Sequence, residues 1–401
     1  MKRTIILFLS LALLLSACGT SSLPGETTGT DKTYDADRSF LHLNTYACET
    51  EDTVYFAVGH MLYYADKATG TGGPLCGKPE CDHDVNTTTC NAWVPINLFG
   101  LSNYDGRLYF AGYRCDVIYS CAYDGTDRRV VRRLDDGLIP NTRLNALYVF
   151  HRGYVYFACN EQTVVDGETR DNSYVFAYPL DSDGEGLVIL DEESGIGCET
   201  VIHPYEDELY ILTYKIINTG EPYLYNEPYL YHWTIRRWST QSRELEVLYD
   251  GDIPVRLNRE LWIVDDGILL LGTVSKTAGD SQVYERNVYK LSFESGEITY
   301  LFSAMPDGLR GNVGFSDGLI TANRINETGE NLFIVKDFEG NTLTDTTIKL
   351  DIKINNTFST YFVGNDETYA YFTAPNPMYP EYLIAIALDG SVARVLWSKE
   401  T

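Results

Sequence analysis

Positively charged residues are scarce in this sequence of 401 residues. It contains 31 Lys and Arg against 57 Asp and Glu, which gives a formal net charge of −26. Binding to a nucleic-acid backbone requires clustered Lys and Arg, so the deficit argues against DNA or RNA as a partner. The composition also excludes a disordered acidic chain, because 44% of the residues are apolar and only 22% are charged.

Long apolar runs are lacking as well. The one extended run covers residues 4–15, directly after the basic start Met1-Lys2-Arg3, and is too short to span a bilayer. A short apolar run behind a basic start is typical of a signal peptide. The run ends in Leu15-Ser16-Ala17-Cys18, which resembles a bacterial lipobox. An ordinary secretory signal with a chance cysteine is the alternative.

The lipobox resemblance implies that residues 1–17 are removed and that Cys18 becomes a lipidated N-terminus. Two acyl chains, of which palmitate is a typical one, anchor a protein stably where one chain does not. Residues 18–39 are rich in Gly, Ser and Thr and are expected to form a flexible tether. The predicted location is therefore extracytoplasmic, at the outer face of a bacterial cell membrane, with the membrane as a partner through the lipid.

Aromatic residues and glycine are plentiful. The sequence has 31 Tyr, 16 Phe and 33 Gly, a composition that favours β-strands joined by tight turns. A turn followed by an alternating strand recurs, as in Asp105-Gly106-Arg107-Leu108-Tyr109-Phe110. Seven matching positions are spaced 47 to 60 residues apart, at Tyr55, Tyr109, Tyr156, Tyr210, Leu270, Thr321 and Tyr371. This spacing is typical of propeller blades.

Each repeat has room for four strands. A strand precedes the turn, and a third strand, a hairpin such as Asp124-Gly125 or Asp389-Gly390, and a fourth strand follow it. Seven repeats of four strands predict an all-β fold, a seven-bladed β-propeller of four-stranded antiparallel blades over residues 40–401. Another repeated β-sandwich is the alternative.

The repeated Asp-Gly-x-Leu-Tyr-Phe strand, with the hairpin Tyr123-Asp124-Gly125-Thr126-Asp127, resembles a family of Firmicutes surface lipoproteins. Those proteins carry a propeller similar to that of the low-density-lipoprotein receptor (YWTD- or TolB-like). The resemblance covers nearly the whole mature chain. It implies a surface-anchored propeller that binds a ligand, and it assigns no functional residue.

One group of residues has the composition of a metal site. Cys76, Cys81, His83 and Cys90 lie between the first and second repeats, and three thiolates with one imidazole make a complete tetrahedral zinc set. The spacing is not that of a standard zinc finger. Exported cysteines usually pair, and eight remain after Cys18, so disulfides are the favoured alternative and unmodified thiols the third.

Propeller topology places the loops between second and third strands on the same rim as the crossings between blades. We therefore expect six cysteines at this rim: Cys76, Cys81, Cys90, Cys115, Cys159 and Cys198. Long loops are predicted there at residues 160–173, 215–229 and 274–287, and long loops often carry function. The predicted ligand-binding residues are the tyrosines of the blade 4 and blade 7 loops, although packing within the blades is the simpler explanation: Tyr223, Tyr225, Tyr229, Tyr379 and Tyr382.

A weaker signal is the acidic turn that begins at Asp181. Asp181, Asp183, Glu185 and Glu192 are spaced as in a calcium loop, but the flanking residues favour strands, so a solvated turn is the alternative.

Enzyme signatures are missing. The sequence has no Gly-x-Ser-x-Gly, no His-Glu-x-x-His and no phosphate-binding glycine loop, and its 6 histidines are scattered. No catalytic residue is predicted. The expected function is a binding or protein-interaction module for a glycan, a peptide or a surface protein. The alternative is a glycosidase or lyase that uses acidic residues of the central channel.

Overall fold

Strands with alternating apolar residues make up the regular structure of the chain. In the computed structural model, the described residues are 46–84, 89–94, 98–112, 117–134, 137–140, 143–165, 168–181, 184–194, 198–217, 230–278, 281–305, 311–316, 318–325, 330–350, 352, 360–374 and 380–399. They form seven four-stranded antiparallel sheets and no helix. Within this part of the chain, therefore, no helix is long and apolar enough to cross a membrane.

Each sheet is one blade and is built from four consecutive strands. Blade 1 has β1 (Ala47–Glu49), β2 (Thr53–Val58), β3 (Met61–Asp66) and β4 (Gly72–Pro74), and blade 2 has β5 (Leu98–Tyr104), β6 (Arg107–Gly112), β7 (Val117–Cys121) and β8 (Arg129–Arg133). Blade 3 has β9 (Arg143–His151), β10 (Tyr154–Val165), β11 (Glu168–Pro179) and β12 (Leu187–Glu193), and blade 4 has β13 (Glu199–Tyr205), β14 (Glu208–Ile216), β15 (Tyr231–Ser239) and β16 (Leu245–Ile253).

The remaining three blades follow the same order. Blade 5 has β17 (Arg256–Val264), β18 (Gly267–Ala278), β19 (Ser281–Ser292) and β20 (Ile298–Ser303). Blade 6 has β21 (Asn312–Ser316), β22 (Leu319–Ile325), β23 (Glu330–Asp337) and β24 (Thr342–Lys349), and blade 7 has β25 (Tyr361–Asn365), β26 (Tyr369–Ala374), β27 (Tyr382–Ala387) and β28 (Ala393–Ser398).

The blades close into a ring. The first strand of every blade contacts the first strand of the next, and β25 contacts β1, so these seven strands surround the central channel. The structure thus confirms the predicted seven-bladed propeller. Each blade uses its own four strands, so in the described chain the seam between blades 7 and 1 is held by side chains and loops.

Apolar side chains fill the spaces between the blades, because each sheet packs against the sheet of the next blade. At the seam, Phe56 of blade 1 is fully buried with Tyr371 and Leu383 of blade 7. Complete burial of one large apolar side chain contributes roughly 1.5–3 kcal/mol. The tyrosines at the repeated position are buried in the same way, which explains their abundance as packing residues.

Two sequence predictions about local structure are wrong. In blade 5, Val264 pairs with Gly267, so the residue that corresponds to Tyr109 is Leu269 rather than Leu270. Residues 160–173 and 274–287 are not long loops, because β10 pairs with β11, and β18 with β19, to the last residue of each strand. The β-branched residues of these segments continue the ladders, and Asp166-Gly167 and Gly279-Asp280 are hairpin signals.

Candidate metal centre and rim cavity

The Cys-rich segment interrupts the outer strand of blade 1. After β4 the chain still pairs with β3, because the Leu75 amide donates to the Leu62 carbonyl at 2.9 Å. It then leaves the sheet and returns at Ala92, whose carbonyl accepts from the Leu62 amide at 2.9 Å. Met61 and Trp93 form a further bridge. The outer strand of this blade is therefore split into two halves, and the Cys-rich segment joins them.

The four predicted metal ligands converge at the base of this excursion. One ligand atom from each of Cys76, Cys81, His83 and Cys90 lies within 4.8 Å of all the others. The Cys90 Sγ and His83 Nδ1 atoms are 3.7 Å apart. A tetrahedral zinc ion with ordinary bond lengths separates a sulfur and a nitrogen ligand by about 3.6 Å. The cluster could therefore hold a metal such as zinc.

The protein surroundings act on two of these thiols in opposite directions. Burial raises the pKa of Cys90 to about 11. Burial also acts to raise the pKa of Cys76, but hydrogen bonds from the backbone N–H groups of Lys78 and Asn91 outweigh it, so the pKa of Cys76 is lowered. Hydrogen bonds from N–H groups stabilise a thiolate, which is the form of cysteine that binds a metal.

The favoured disulfide hypothesis is not borne out among the described cysteines. No disulfide joins any two of them, namely Cys48, Cys76, Cys81, Cys90, Cys121, Cys159 and Cys198. Cys198 lies apart from the Cys3His cluster, with Sγ 3.0 Å from Asn160 Nδ2, and Cys159 packs between blades 2 and 3. Cys115 lies outside the described residues. Of the six cysteines expected at this rim, three therefore form a local cluster, namely Cys76, Cys81 and Cys90. All three come from one connection, the one between blades 1 and 2.

The calcium hypothesis has little support from the described part of the acidic turn, of which residues 182–183 are not described. Glu192 lies on β12, five residues beyond Leu187 and thus roughly 16 Å along the strand. Its carboxylate accepts a hydrogen bond from Arg236 at 2.7 Å. Among the described residues, the Cys3His cluster is the one set of converging metal-ligand side chains.

A polar cavity of about 150 Å³ lies at the rim where blades 3 and 4 meet. It is lined by the end of β12 and by the parts of β14 and β15 nearest the connection between them. The lining residues are Glu192, Glu193, Ser194, Thr213, Tyr214, Lys215, His232, Thr234 and Arg236. No sequence motif marks these residues, because they come from three strands and meet only in the folded blade pair.

Charged groups of both signs are fixed in this cavity. Arg236 donates to Glu192 at 2.7 Å and to the Thr213 hydroxyl at 3.0 Å. The His232 ring has a carboxylate at each nitrogen, with Asp252 at 2.6 Å from Nδ1 and Asp250 at 2.9 Å from Nε2. The cavity therefore offers both donors and acceptors in defined positions.

The predicted ligand-binding tyrosines have different outcomes. Tyr223, Tyr225 and Tyr229 lie in the connection between β14 and β15, and Tyr379 lies before β27, all outside the described residues. Tyr382 begins β27 and packs partly against the apolar cluster between blades 6 and 7. For Tyr382, the structure thus shows blade packing.

Two acidic residues of the inner strands already have partners in the protein. Glu49 of β1 lies 2.7 Å from the Lys67 ammonium, and Glu199 of β13 accepts a hydrogen bond from the Tyr214 hydroxyl. An acid that protonates a glycosidic bond needs a raised pKa and access to substrate. Neither carboxylate has the isolated apolar setting that such an acid requires.

Comparison with known proteins assigns this chain to no family. No protein-family model matches the sequence, and no curated protein matches it. The lipoprotein-family resemblance therefore stays a prediction. Among solved structures, the β-propeller domain of the Trilobed protease from Pyrococcus furiosus is 10% identical, with 88% of this chain and 96% of that chain covered and a TM-score of 0.44.

Two solved enzymes are similar at the same level. A puromycin-hydrolyzing peptidase from Mycobacterium tuberculosis is 12% identical, with 91% of this chain covered and a TM-score of 0.49, and this chain covers 55% of the peptidase. An oligogalacturonate lyase in complex with manganese is 13% identical, with 78% and 79% of the two chains covered and a TM-score of 0.44. This chain thus spans about half the length of the peptidase.

Proposed function

We propose that the protein is a membrane-anchored binding module that takes a polar ligand at the blade 4 rim. The observation that carries this proposal is the rim cavity lined by β12, β14 and β15. Polar groups held in fixed positions orient a ligand and give a site its specificity, and loops beside a rigid scaffold usually contribute to such a site. The connection that bears Tyr223, Tyr225 and Tyr229 joins two of the strands that line the cavity.

The chemistry of the lining favours a glycan or a peptide. The Arg236 and Lys215 cations, the Glu193 carboxylate and the Thr234 hydroxyl offer hydrogen-bonding partners to hydroxyl or amide groups. Tyrosine rings from the neighbouring connection would stack on sugar faces or on side chains. An apolar ligand would remove water from these polar groups and offer them no hydrogen bond in return, which costs free energy.

The location that we propose rests on the Leu15-Ser16-Ala17-Cys18 sequence. A lipid on Cys18 holds the propeller at the outer face of the cell membrane, and the tether over residues 18–39 lets the rim reach ligands in the cell envelope. Labelling with an acyl precursor checks this directly. The label should enter the wild-type chain and be lost with Cys18→Ala, whereas labelling that persists in the variant would overturn the anchor.

The ion that we propose for the Cys3His cluster is zinc, in a structural role. Three thiolates and an imidazole favour zinc over the hard cations calcium and magnesium. All four positions of a tetrahedral ion would be taken by protein atoms, which leaves no position for a substrate. The zinc site is thus separate from the ligand site on blade 4.

Binding of the full chain, solubilised in detergent, to a glycan and peptide array tests the module. Lys215→Gln removes a positive charge from the cavity. It should weaken binding of the ligand that the array identifies by about tenfold, equivalent to about 1.4 kcal/mol. Arg237→Gln removes a charge from the same blade but outside the cavity lining and should leave binding unchanged. Equal effects of the two substitutions would overturn the assignment of the site.

Product analysis of each array ligand distinguishes the module from an enzyme. The module predicts that bound glycans and peptides are recovered intact. Released sugar or a new unsaturated end would overturn the proposal in favour of a glycosidase or a lyase.

A further inference from the structure

We infer that the metal at the Cys3His cluster fastens the split outer strand of blade 1 and joins it to blade 2. This inference rests on the proposal that the cluster binds zinc, and it is independent of the ligand on blade 4. The function of the ion is to hold residues 92–94 in register on β3 after the chain has left the sheet at Leu75.

Blade 1 has the shortest fourth strand of the seven blades. Its fourth strand, β4, has three residues, whereas the fourth strands of the other blades have five to nine. The edge is completed by the returning segment, which pairs through two hydrogen bonds: Leu62 N–H to Ala92 C=O at 2.9 Å and Val94 N–H to His60 C=O at 2.8 Å. So short a pairing must offset the entropy of closing the whole excursion between Leu75 and Ala92.

The four ligands are placed where a metal ion would close that excursion. Cys76 directly follows Leu75, the last residue of the first half of the strand, and Cys90 comes two residues before Ala92. Their sulfur atoms belong to the group that lies within 4.8 Å. An ion between them therefore reduces a long loop to a short one, and a metal that binds only the folded state stabilises the pairing.

The local backbone is arranged around these side chains. His83 adopts a left-handed conformation with φ +54°, which is uncommon for a residue other than glycine. The Trp93 N–H donates to the Cys90 carbonyl at 3.3 Å, and the Cys81 N–H donates to the Lys78 carbonyl at 3.2 Å. Such outer hydrogen bonds orient the ligands of a metal site.

Residues of blade 2 also contact this returning segment. Arg128, in the hairpin between β7 and β8, donates to the carbonyl of Trp93 and, at 3.3 Å, to that of Cys90. Ala92, Val94 and Cys90 are fully buried beside Leu101 and Leu108 of blade 2. Displacement of the segment would expose these residues, so the ion stabilises the interface between blades 1 and 2 as well as the edge of blade 1.

Zinc binding displaces the thiol protons to solvent and involves no change of oxidation state. The overall charge of three thiolates, one neutral imidazole and Zn²⁺ is −1. Since a disulfide can use only two of the three cysteines, it would leave the third thiol and the histidine without a role.

The test is metal analysis and amide hydrogen exchange on the full chain in detergent. We expect one equivalent of zinc, and after chelation an increase of about tenfold or more in the exchange rates of the Leu62 and Val94 amides, reversed when zinc is returned. Amides of blade 5, such as Leu270, should be unaffected. Cys81→Ala should lose the zinc, whereas Cys121→Ala, which removes a buried thiol of the same apolar cluster, should retain it.

The outcomes separate the two proposals. One equivalent of zinc with unchanged exchange at Leu62 and Val94 would overturn the fastening role and leave zinc binding intact. A purified chain that binds no zinc, or that contains a disulfide within the cluster, would overturn both. Chelation of the wild-type chain does not depend on the folding of any variant, so the result holds even where Cys81→Ala fails to fold.

Discussion

The Lys67 Nζ atom, just after β3 of blade 1, lies 3.8 Å from Asp366 Oδ2 of blade 7. The same ammonium lies 2.7 Å from Glu49 Oε2 and 4.6 Å from the centre of the Tyr371 ring. Because blades 7 and 1 are built from separate strands, this buried cation is a direct link across the seam that closes the ring.

Removal of the Lys67 charge should destabilise the whole propeller. Lys67→Met removes the ammonium that lies against the mostly buried Glu49 carboxylate, and loss of one member of a buried ion pair costs about 3 kcal/mol. Urea denaturation measures the change. Lys290→Met is the control, because Lys290 pairs with the exposed Asp266 within blade 5, and its removal should cost less than about 1 kcal/mol. Equal losses of stability would show that the Lys67 contacts across the seam contribute no more than the exposed Lys290 pair.

The seam should also respond to acid. Burial acts to raise the pKa of Asp366, but hydrogen bonds from the Tyr371 hydroxyl and from two backbone amides, together with Lys67, outweigh it, so its pKa is lowered in the folded chain. The unfolded chain then binds the proton more readily. The stabilisation is complete above the unfolded value of about 3.9 and is lost as the pH falls through the folded value.

Asp366→Asn isolates this contribution. The difference in free energy of unfolding between wild type and variant should be constant from pH 7 to about pH 5 and should shrink below about pH 4. Denaturation at a series of pH values gives the curve. A difference that grows as the pH falls would contradict the prediction.

Two glycines with similar positive φ values distinguish the cost of backbone strain from the cost of a steric overlap. Gly106 and Gly125 have φ +70° and +78°, so alanine at either site costs about 1 kcal/mol of backbone energy. At Gly106 a Cβ atom meets nothing within 4 Å, whereas at Gly125 it would overlap the Leu75 carbonyl oxygen. Gly125→Ala should therefore cost about 1–3 kcal/mol more than Gly106→Ala in thermal or urea unfolding.

Neighbouring arginines on β15 give a matched pair, of which Arg236 lines the rim cavity and Arg237 does not. Arg236 is buried and holds Glu192 and Thr213, so Arg236→Gln should reduce the free energy of unfolding by about 2 kcal/mol. Arg237 pairs on the opposite face of the strand with the exposed Glu246, so Arg237→Gln should cost less than about 1 kcal/mol. Similar losses would mean that the cavity wall is not held by Arg236.

Much of the architecture is visible in local sequence. Alternation of apolar residues and Asp-Gly turns such as Asp105-Gly106 are properties of a few consecutive residues, and they predict the strands and their sevenfold recurrence. The same signals, at Asp166-Gly167 and Gly279-Asp280, are sufficient to predict the long hairpins of blades 3 and 5. The expectation of loops there was wrong because the extensions are rich in polar residues, and a polar composition does not distinguish an exposed hairpin from a loop.

The candidate sites could be predicted only in part. Cys76, Cys81, His83 and Cys90 stand close together in the sequence, so their types and spacing alone point to a metal. The rim cavity has no such signal, because Glu192, Lys215 and Arg236 come from different strands of two blades.

By itself the sequence determined the repeated strands, the turns between them and the composition of the Cys3His set, because each depends on near neighbours in the chain. Only the tertiary structure decided that the four ligand atoms converge between the two halves of a split strand and that Lys67 meets Asp366 across the seam. These two contacts depend on how the outer edge of blade 1 is paired and on how seven twisted blades close. Both are set by packing between residues that lie far apart in the sequence.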